Sequence, residues 1–521
     1  MFVDLQNNGY GIPVEMRETE LEKITVDPDI ARSYPVSFLR RHGVFPLYRD
    51  TQGVTVFAIA DPRNALSVGA VRMSCEGRIG FVACTEEQTS ALIDAVFVAK
   101  NTDTAIKVLS SDRDTKQSHS ATDKQSSYHL EDAPAVILVD SLIKEALQLG
   151  ASDIHIEPYE DGIRVRYRID GELSDRATLP VFALDEICAR IKIMAEMDIA
   201  EKRLPQDGHI VIREEGREYD LRVSTLPTVN GEKFVLRILD KSRLSFTRSQ
   251  IGFDCSDSEL IDKILSSPHG IILLTGPTGC GKSTTLYAFL NEINKNSINI
   301  VTVEDPVEYT MKGINQTQIN PKIDLTFAGA LRSILRQDPD VIMVGEIRDE
   351  ETAQIATRAA ITGHLVFSTL HTNDAPGAVT RLADMGVSPY LVADSVVAVI
   401  SQRLVKKLCP NCKKEKQASQ REKMMLGVSQ SEPCRIFSAC GCSYCSKTGY
   451  RGRTAVHEIM YMNEELRSTV SQGKTAAKEI RKIALQNGMR ELSVSCARKV
   501  LDGTTDIREY LKFCADNELE V

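Results

Sequence analysis

Three absences bound what this chain of 521 residues can be. Positive charge is not in excess, since 63 Lys and Arg face 72 Asp and Glu, for a formal net charge of −9. Neutralising a phosphate backbone takes a clustered surplus of cations, so this balance argues against a general nucleic-acid coat and predicts no nucleic-acid partner; any basic patch must be local. Long apolar runs are also missing. No stretch of about 18 uncharged apolar residues occurs, and Met1 to Pro13 holds no basic start followed by an apolar run. The expected location is the cytoplasm, with any membrane association supplied by a partner. No internal repeat is visible.

What is present is ordinary globular composition, 42% hydrophobic and 26% charged residues. At roughly 100 to 200 residues per domain, the length suggests three or four domains. Thirteen cysteines would suggest disulfides in a secreted protein, but in a long chain without a secretory start, metal ligation or buried thiols are expected instead.

The organisation reads as multidomain α/β. A docking or adaptor domain is expected over residues 1–110, with apolar runs such as Val54 to Ala60 and no catalytic constellation. Ser110 to Ser127 crowds Asp, Lys, Gln, Ser and Thr together without apolar periodicity and reads as a flexible linker, placed at 111–130. Residues 131–240 read as a small α+β domain: a helix over Ala135 to Leu149, then a strand from Ser152 stopped by Pro158. A hairpin follows in which Ile163, Val165, Tyr167 and Ile169 alternate with Arg164, Arg166 and Arg168, and a second strand pair brackets Glu215-Gly216. From about Ile251 apolar strands alternate with helices, the signature of a largely parallel sheet covered on both faces, and this core is placed at 241–400. A cysteine-bearing subdomain over 401–450 and a helical one over 451–521 complete the chain.

Gly276-Pro277-Thr278-Gly279-Cys280-Gly281-Lys282-Ser283 fits G-x-x-x-x-G-K-[ST], between the apolar strand Ile271 to Leu274 and a helix-compatible run. Glycines let such a loop fold round phosphates with backbone N–H groups inward, Lys282 reaches the terminal phosphates, and Ser283 is placed to bind Mg²⁺. Val341 to Val344 is a buried-strand candidate that delivers Glu346 to the carboxyl end of the sheet, as a candidate for polarising the attacking water. Glu304-Asp305 closes the strand Ile300 to Val303, with Glu308 beyond; these acids would surround Mg²⁺ through water or orient the nucleophile, or form an ordinary acidic turn. Arg332 and Arg336, four apart, would share one helix face, with ion pairs to Asp338 or Asp340 as the plainer reading. Arg237 interrupts an apolar strand and so should have an anionic partner, a carboxylate or a γ-phosphate.

Thr275 to Thr284, Val303 to Tyr309, Leu331 to Asp349 and Thr362 to Asn373 resemble, in that order, the Walker A, aspartate box, Walker B and histidine box of the secretion ATPase superfamily. Over about residues 131 to 510 the chain is similar to the type II secretion and type IV pilus assembly ATPase family, and Tyr34 to Val44 resembles the secretion branch more than the pilus branch. The resemblance implies an ATP-hydrolysing RecA-like P-loop core. It places before that core an amino-terminal adaptor and a small α+β (PAS-like) domain, and adds a tetracysteine zinc knob near the carboxyl end. It implies Glu346 as catalytic acid and His364 and His371 as residues that sense or contact the nucleotide, although a lone His more often packs or hydrogen-bonds. It further implies a homo-hexamer in which the small domain supplies Arg222 and Arg237, with Arg332, Arg336 and Arg453 also about the phosphates. The implied setting is the cytoplasmic face of an inner membrane, where a platform protein docks the amino-terminal domain.

Cys409-Pro410-Asn411-Cys412 and Cys442-Ser443-Tyr444-Cys445 are two C-x-x-C pairs, enough for a tetrathiolate site with Zn²⁺ as the favoured metal. Cys434 and Cys440 compete as ligands, and a redox pair is the alternative chemistry. Lys406, Lys407, Lys413, Lys414 and Lys416 crowd the first pair, as a solvated run or a contact for anionic lipid headgroups. Cys280 stands where the resembled family often has Ser; backbone groups hold the phosphates, so binding should survive, and thiol alkylation there should inactivate the enzyme.

Overall fold

The computed structural model describes residues 134–240 apart from 215, residues 246–519, and most positions between 26 and 93. The segments Met1 to Pro13 and Ser110 to Ser127, position 215 and several positions between Tyr34 and Val44 lie outside the described residues. The chain divides into two compact units, Met1–Leu239 and Asp240–Val521.

In the first unit, the apolar run predicted near residue 54 is strand β2 (Thr55–Ile59), buried along its whole length. It is central because β1 (Val44–Arg49) pairs with it antiparallel and β3 (Ile79–Ala83) pairs with it parallel after helix α1 (Ala65–Ser74). Asn64 starts that helix by accepting from the N–H groups of Leu66 and Ser67.

Farther along the same unit, helices α2 (Pro134–Gln148) and α3 (Leu184–Met194) cover a six-stranded sheet. Its order is β6 (Glu172–Leu179), β5 (Gly162–Ile169), β4 (Asp153–Tyr159), β9 (Gly231–Asp240), β8 (Arg217–Thr228) and β7 (Gln206–Glu214). Leu138 and Leu142 of α2 and Ile187 and Ile191 of α3 share one core with Ile154, Val165, Tyr167 and Phe234. The arginines alternating with that apolar set are partnered: Arg166 lies 2.6 Å from Glu157, Arg168 lies 3.6 Å from Asp153, and Arg164 stacks 4.7 Å from the Tyr159 ring centre. Strand β4 does not stop at Pro158 but runs to Tyr159; its pairing with β9 ends at Ile156, so no partner needs the N–H that Pro158 lacks. Beneath the sheet, the fully buried Lys192 sits 2.7 Å from Glu232 and donates to the Glu201 carbonyl at 2.6 Å.

The second unit is built on a seven-stranded sheet in the order β12 (Asn315–Gln318), β11 (Ile300–Glu304), β13 (Val341–Val344), β14 (Leu365–Leu370), β10 (Gly270–Thr275), β15 (Val396–Leu408) and β18 (Tyr450–Tyr461). All neighbours are parallel except the β15 and β18 pair. Along β10, Ile271 and Leu273 enter one core cluster, and Ile272 and Leu274 enter another, so both faces are covered, as unbroken apolar strands require. The covering helices include α4 (Ser258–Leu265), α5 (Lys282–Ile293), α6 (Phe327–Ile334), α7 (Glu350–Ile361), α8 (Ala375–Asp384) and α9 (Pro389–Ser395).

Two expected boundaries move. Strand β15 crosses position 400 and pairs antiparallel with β18 from Ala398 with Tyr461 to Leu408 with Tyr450, so residues 401–408 and 450–461 belong to the core sheet. Ser401, Gln402 and Arg403, polar residues that continue the apolar run of β15, are all buried. The knob is the excursion between these strands, carrying the small antiparallel pair β16 (Lys414–Gln417) and β17 (Arg435–Ser438). Helices α10 (Glu464–Ser471), α11 (Ala477–Gln486), α12 (Leu492–Leu501) and α13 (Ile507–Leu519) follow.

Candidate functional site

Strand β10 ends at Thr275, and the chain turns through Gly276 to Gly281 before α5 begins at Lys282. Gly276 has φ of 137°, and a Cβ there would sit 2.4 Å from the Gln402 carbonyl oxygen, so only glycine admits this turn. The first-turn N–H groups of α5 have no intrahelical acceptors, which makes the loop end an anion site. Lys282 Nζ donates to the Gly276 and Pro277 carbonyls at 2.7 and 3.1 Å, folding over the loop. Burial draws the Lys282 ammonium below its usual range, against the opposing pull of Cys280 and Glu346, while Arg403 adds to the lowering. Ser283 is exposed and Thr284 half-buried in the first turn, whereas Cys280 is buried, and burial pushes its thiol up.

The carboxyl ends of the neighbouring strands complete the site. Glu346 follows β13, with one carboxylate oxygen 2.5 Å from Arg348 Nη2 and the other 3.6 Å from His371 Nε2, just past β14. Glu304, at the end of β11, is buried and accepts from Tyr287 Oη of α5, from Thr302 Oγ1 at 2.6 Å and from Gln316 Nε2 at 3.1 Å. Those three donors tie α5, β11 and β12 together through one carboxylate. Asp305 is exposed beside it, and its charge helps hold Arg348 protonated.

Other predicted residues fall elsewhere. His364 and His371 bracket β14, so a six-residue strand of roughly 20 Å separates them. His364 stands at the opposite sheet edge, where its carbonyl accepts from Gly270 N at 3.1 Å and its Nδ1 lies 2.9 Å from the Ala359 carbonyl oxygen. Contact between His364 and a nucleotide on this chain's own loop is thereby corrected. The shared helix face for Arg332 and Arg336 is corrected too, because α6 ends at Ile334, before the left-handed Asp338 and Pro339. Arg336 instead turns back to donate to the Arg332 carbonyl at 2.8 Å, and Arg332 pairs with Glu351 instead of Asp338 or Asp340. Arg453 is exposed on β18 opposite Lys406. In the first unit, Arg222 lies on β8 opposite His209. Arg237 faces outward from β9, 65% exposed, with Nε 3.1 Å from Asp153; its face of the strand also carries Val235 and Leu239, but no residue of that face is buried, so the expected burial cost does not arise.

Sequence reasoning missed Arg348, Tyr287, Gln402, Arg403 and His457. Gln402 and Arg403 gave one signal, polar letters that continue an apolar strand in a sheet covered on both faces.

In the knob, the sulfurs of Cys409, Cys412, Cys442 and Cys445 all lie within 4.8 Å of one another. The Cys409–Cys442, Cys412–Cys445 and Cys442–Cys445 separations are 3.8, 3.8 and 3.7 Å. A tetrahedron with Zn–S of about 2.3 Å has edges of about 3.8 Å, so the four sulfurs fit zinc. Burial works against a Cys445 thiolate, but N–H donors from Cys442 and Gly449 and the neighbouring sulfurs outweigh it and bring the thiol down to about 7. Cys434 and Cys440 are outside this cluster. Of the nearby lysines, Lys416 pairs with Glu422 at 2.7 Å, Lys413 donates to the Gly503 carbonyl and Lys406 lies over Tyr450, while Lys407 and Lys414 are exposed.

Residues 129–512 match the family model described as Type II/IV secretion system protein, and residues 10–102 match the MshEN domain. The chain is 47% identical over 386 residues to the Type II secretion system protein E of Aeromonas hydrophila, covering 73% of this chain and 76% of that protein. It is 40% identical over 514 residues to the Type IV pilus assembly ATPase PilB of Myxococcus xanthus, covering 98% and 90%. The ATPase DotB of Legionella pneumophila shares the fold, with a TM-score of 0.56 at 22% identity, over 76% of this chain and 98% of that one. A model match over most of the length, together with a phosphate loop facing a strand-end glutamate, establishes that the chain belongs to the type II/IV secretion system protein family and is a P-loop ATPase.

Proposed function

We propose that the chain is the ATP-hydrolysing motor of a type II secretion system, coupling hydrolysis to pseudopilus assembly and protein export. The observation that carries this reading is Glu346, held at the carboxyl end of β13 within the field of Lys282, in a chain 47% identical to a type II secretion system protein E. Loop N–H groups of Gly279 to Thr284 and the Lys282 ammonium bind the phosphates of ATP, and Ser283, with Asp305 from the end of β11, would hold Mg²⁺, which supplies charge neutralisation there. Glu346 takes a proton from water as the water oxygen bonds to the γ-phosphorus; the bond to the β,γ-bridging oxygen breaks, giving ADP and phosphate.

The chain acts as a homo-hexamer on the cytoplasmic face of the inner membrane. There Arg222, Arg237, Arg332, Arg336 and Arg453 complete phosphate sites on assembly, and such an arginine is worth about 10³ to 10⁵ in rate. His364, remote from its own loop, would meet nucleotide only across subunits. The amino-terminal domain docks a membrane platform protein, and Lys407 and Lys414 face anionic headgroups. The second reading is pilus assembly, because the pilus relative aligns over 98% of the chain at 40% identity; the 47% identity to the secretion relative favours the first. Deleting the gene from its source cell separates the two. Exported proteins should accumulate inside the cell while surface pili persist, with rescue by the native chain and not by Glu346→Gln; loss of pili with intact export would select the second reading.

A further inference from the structure

We infer that Gln402 is a positioning residue of the phosphate-binding loop: its side-chain amide holds the Cys280–Gly281 peptide so that the Gly281 N–H turns toward a bound phosphate. Gln402 lies on β15, buried directly beneath the loop. Its Nε2 donates to the Cys280 carbonyl at 2.7 Å. A peptide is planar and trans, so a carbonyl fixed toward the sheet sends the following N–H the opposite way, to the open side where the loop surrounds its ligand. Gly281 makes room for this contact, with φ of 88° and a position at which a Cβ would lie 3.0 Å from Gln402 Nε2.

The amide cannot flip without loss, because its Oε1 is engaged from two other elements. Thr285 Oγ1 of α5 donates to it at 2.8 Å, and His457 Nε2 of β18 lies 3.2 Å away. Burial keeps the His457 ring neutral, holding its pKa at about 3, with Lys499 acting in the same direction. Its single proton must then sit on Nε2 to face an acceptor. Phe253 fixes the ring plane, stacked at 3.7 Å and 7°. The chain Phe253, His457, Gln402 and Cys280 thus runs from the β15 and β18 strands that carry the knob to the loop that holds phosphate.

This inference rests on ATP binding at the loop. Gln402→Met keeps the shape and removes donor and acceptor together; in the full-length protein it should weaken MgATP binding about 10-fold. Gln402→Glu serves as the chemical rescue. Protonated, it can donate to Cys280 and accept from Thr285 and His457 as the amide does; ionised, it sets a lone pair against the Cys280 carbonyl. The charged groups whose fields reach the cluster are Lys282, Arg403 and Lys499, the last paired with Asp254 at 2.6 Å. The MgATP affinity of the Glu variant, relative to native protein at the same pH, should therefore rise as pH falls, while the ratio for the Met variant stays constant. His457→Phe, which keeps the ring stack and removes only the donor to Gln402, should weaken binding about 3-fold and serves if Gln402→Met does not fold. Native-like affinity in the Met variant, or in His457→Phe where Met does not fold, would overturn the inference, as would a pH-independent ratio for the Glu variant. Absence of MgATP binding by the native protein would overturn the ATP reading as well.

Discussion

His371 Nε2 stands 3.6 Å from Glu346 Oε2, although the two residues arrive on different strands and are separated by helix α7. The imidazole and Arg348 approach the two oxygens of one carboxylate, leaving Glu346 oriented and accessible at the strand ends. His371→Gln should lower kcat roughly 10-fold, the equivalent of about 1.4 kcal/mol, with little change in ATP affinity. Steady-state hydrolysis alongside equilibrium nucleotide binding checks this; a matching loss of affinity would place His371 in ground-state binding instead.

Cys280 should react slowly. Its side chain is buried against Gly276, and burial holds the thiol in its protonated, unreactive form. A maleimide at neutral pH should modify the exposed Cys255 and Cys440 at least about 10-fold faster, with hydrolysis retained until Cys280 itself is labelled. Peptide mass spectrometry along the inactivation time course checks the order. Inactivation by alkylation is thus still expected, at a slow rate set by burial that only the fold reveals.

His457 should make the second unit sensitive to acid. The folded chain holds the ring neutral down to about 3, against an ordinary value of 6.5, so between those values the unfolded chain binds a proton that the folded chain does not. Stability is therefore fully present above about pH 6.5 and falls as pH drops, by at most about 1.4 kcal/mol per pH unit from this group. His457→Gln should flatten that slope in urea unfolding followed from pH 7 to 5. Glu458, which burial raises, acts in the opposite sense, so the difference between native and variant isolates His457.

In the α+β domain, Lys192→Met should cost about 3 kcal/mol, because Glu232 would keep a buried charge without its partner. Replacing both residues with Met should recover most of that loss. Chemical unfolding of the two variants checks it, and equal losses in the single and double variants would contradict it.

Much of the fold was legible because both periodicities are strong. Val341 to Val344 has no polar letter and is a buried strand; Ile163 to Ile169 alternates and is a half-buried one. Loop, strand-end glutamate and cysteine pairs were legible because each has fixed local spacing. Illegible were relations set by sheet order: His364 and His371 lie in one short segment yet fall at opposite edges, since a strand runs between them. The helix ending before Arg336 was signalled by Pro339, but a spacing of four drew attention to the helix face. Gln402 was hidden because a buried polar residue shows its purpose only when its partners, distant in sequence, are in place.

The most direct measurement is single-turnover hydrolysis by Glu346→Gln in the full-length protein, with ATP binding measured in parallel. The account predicts an affinity within about 3-fold of native and phosphate release slowed about 10² to 10³-fold, as removal of a proton-accepting group requires. Turnover within a few-fold of native would contradict it.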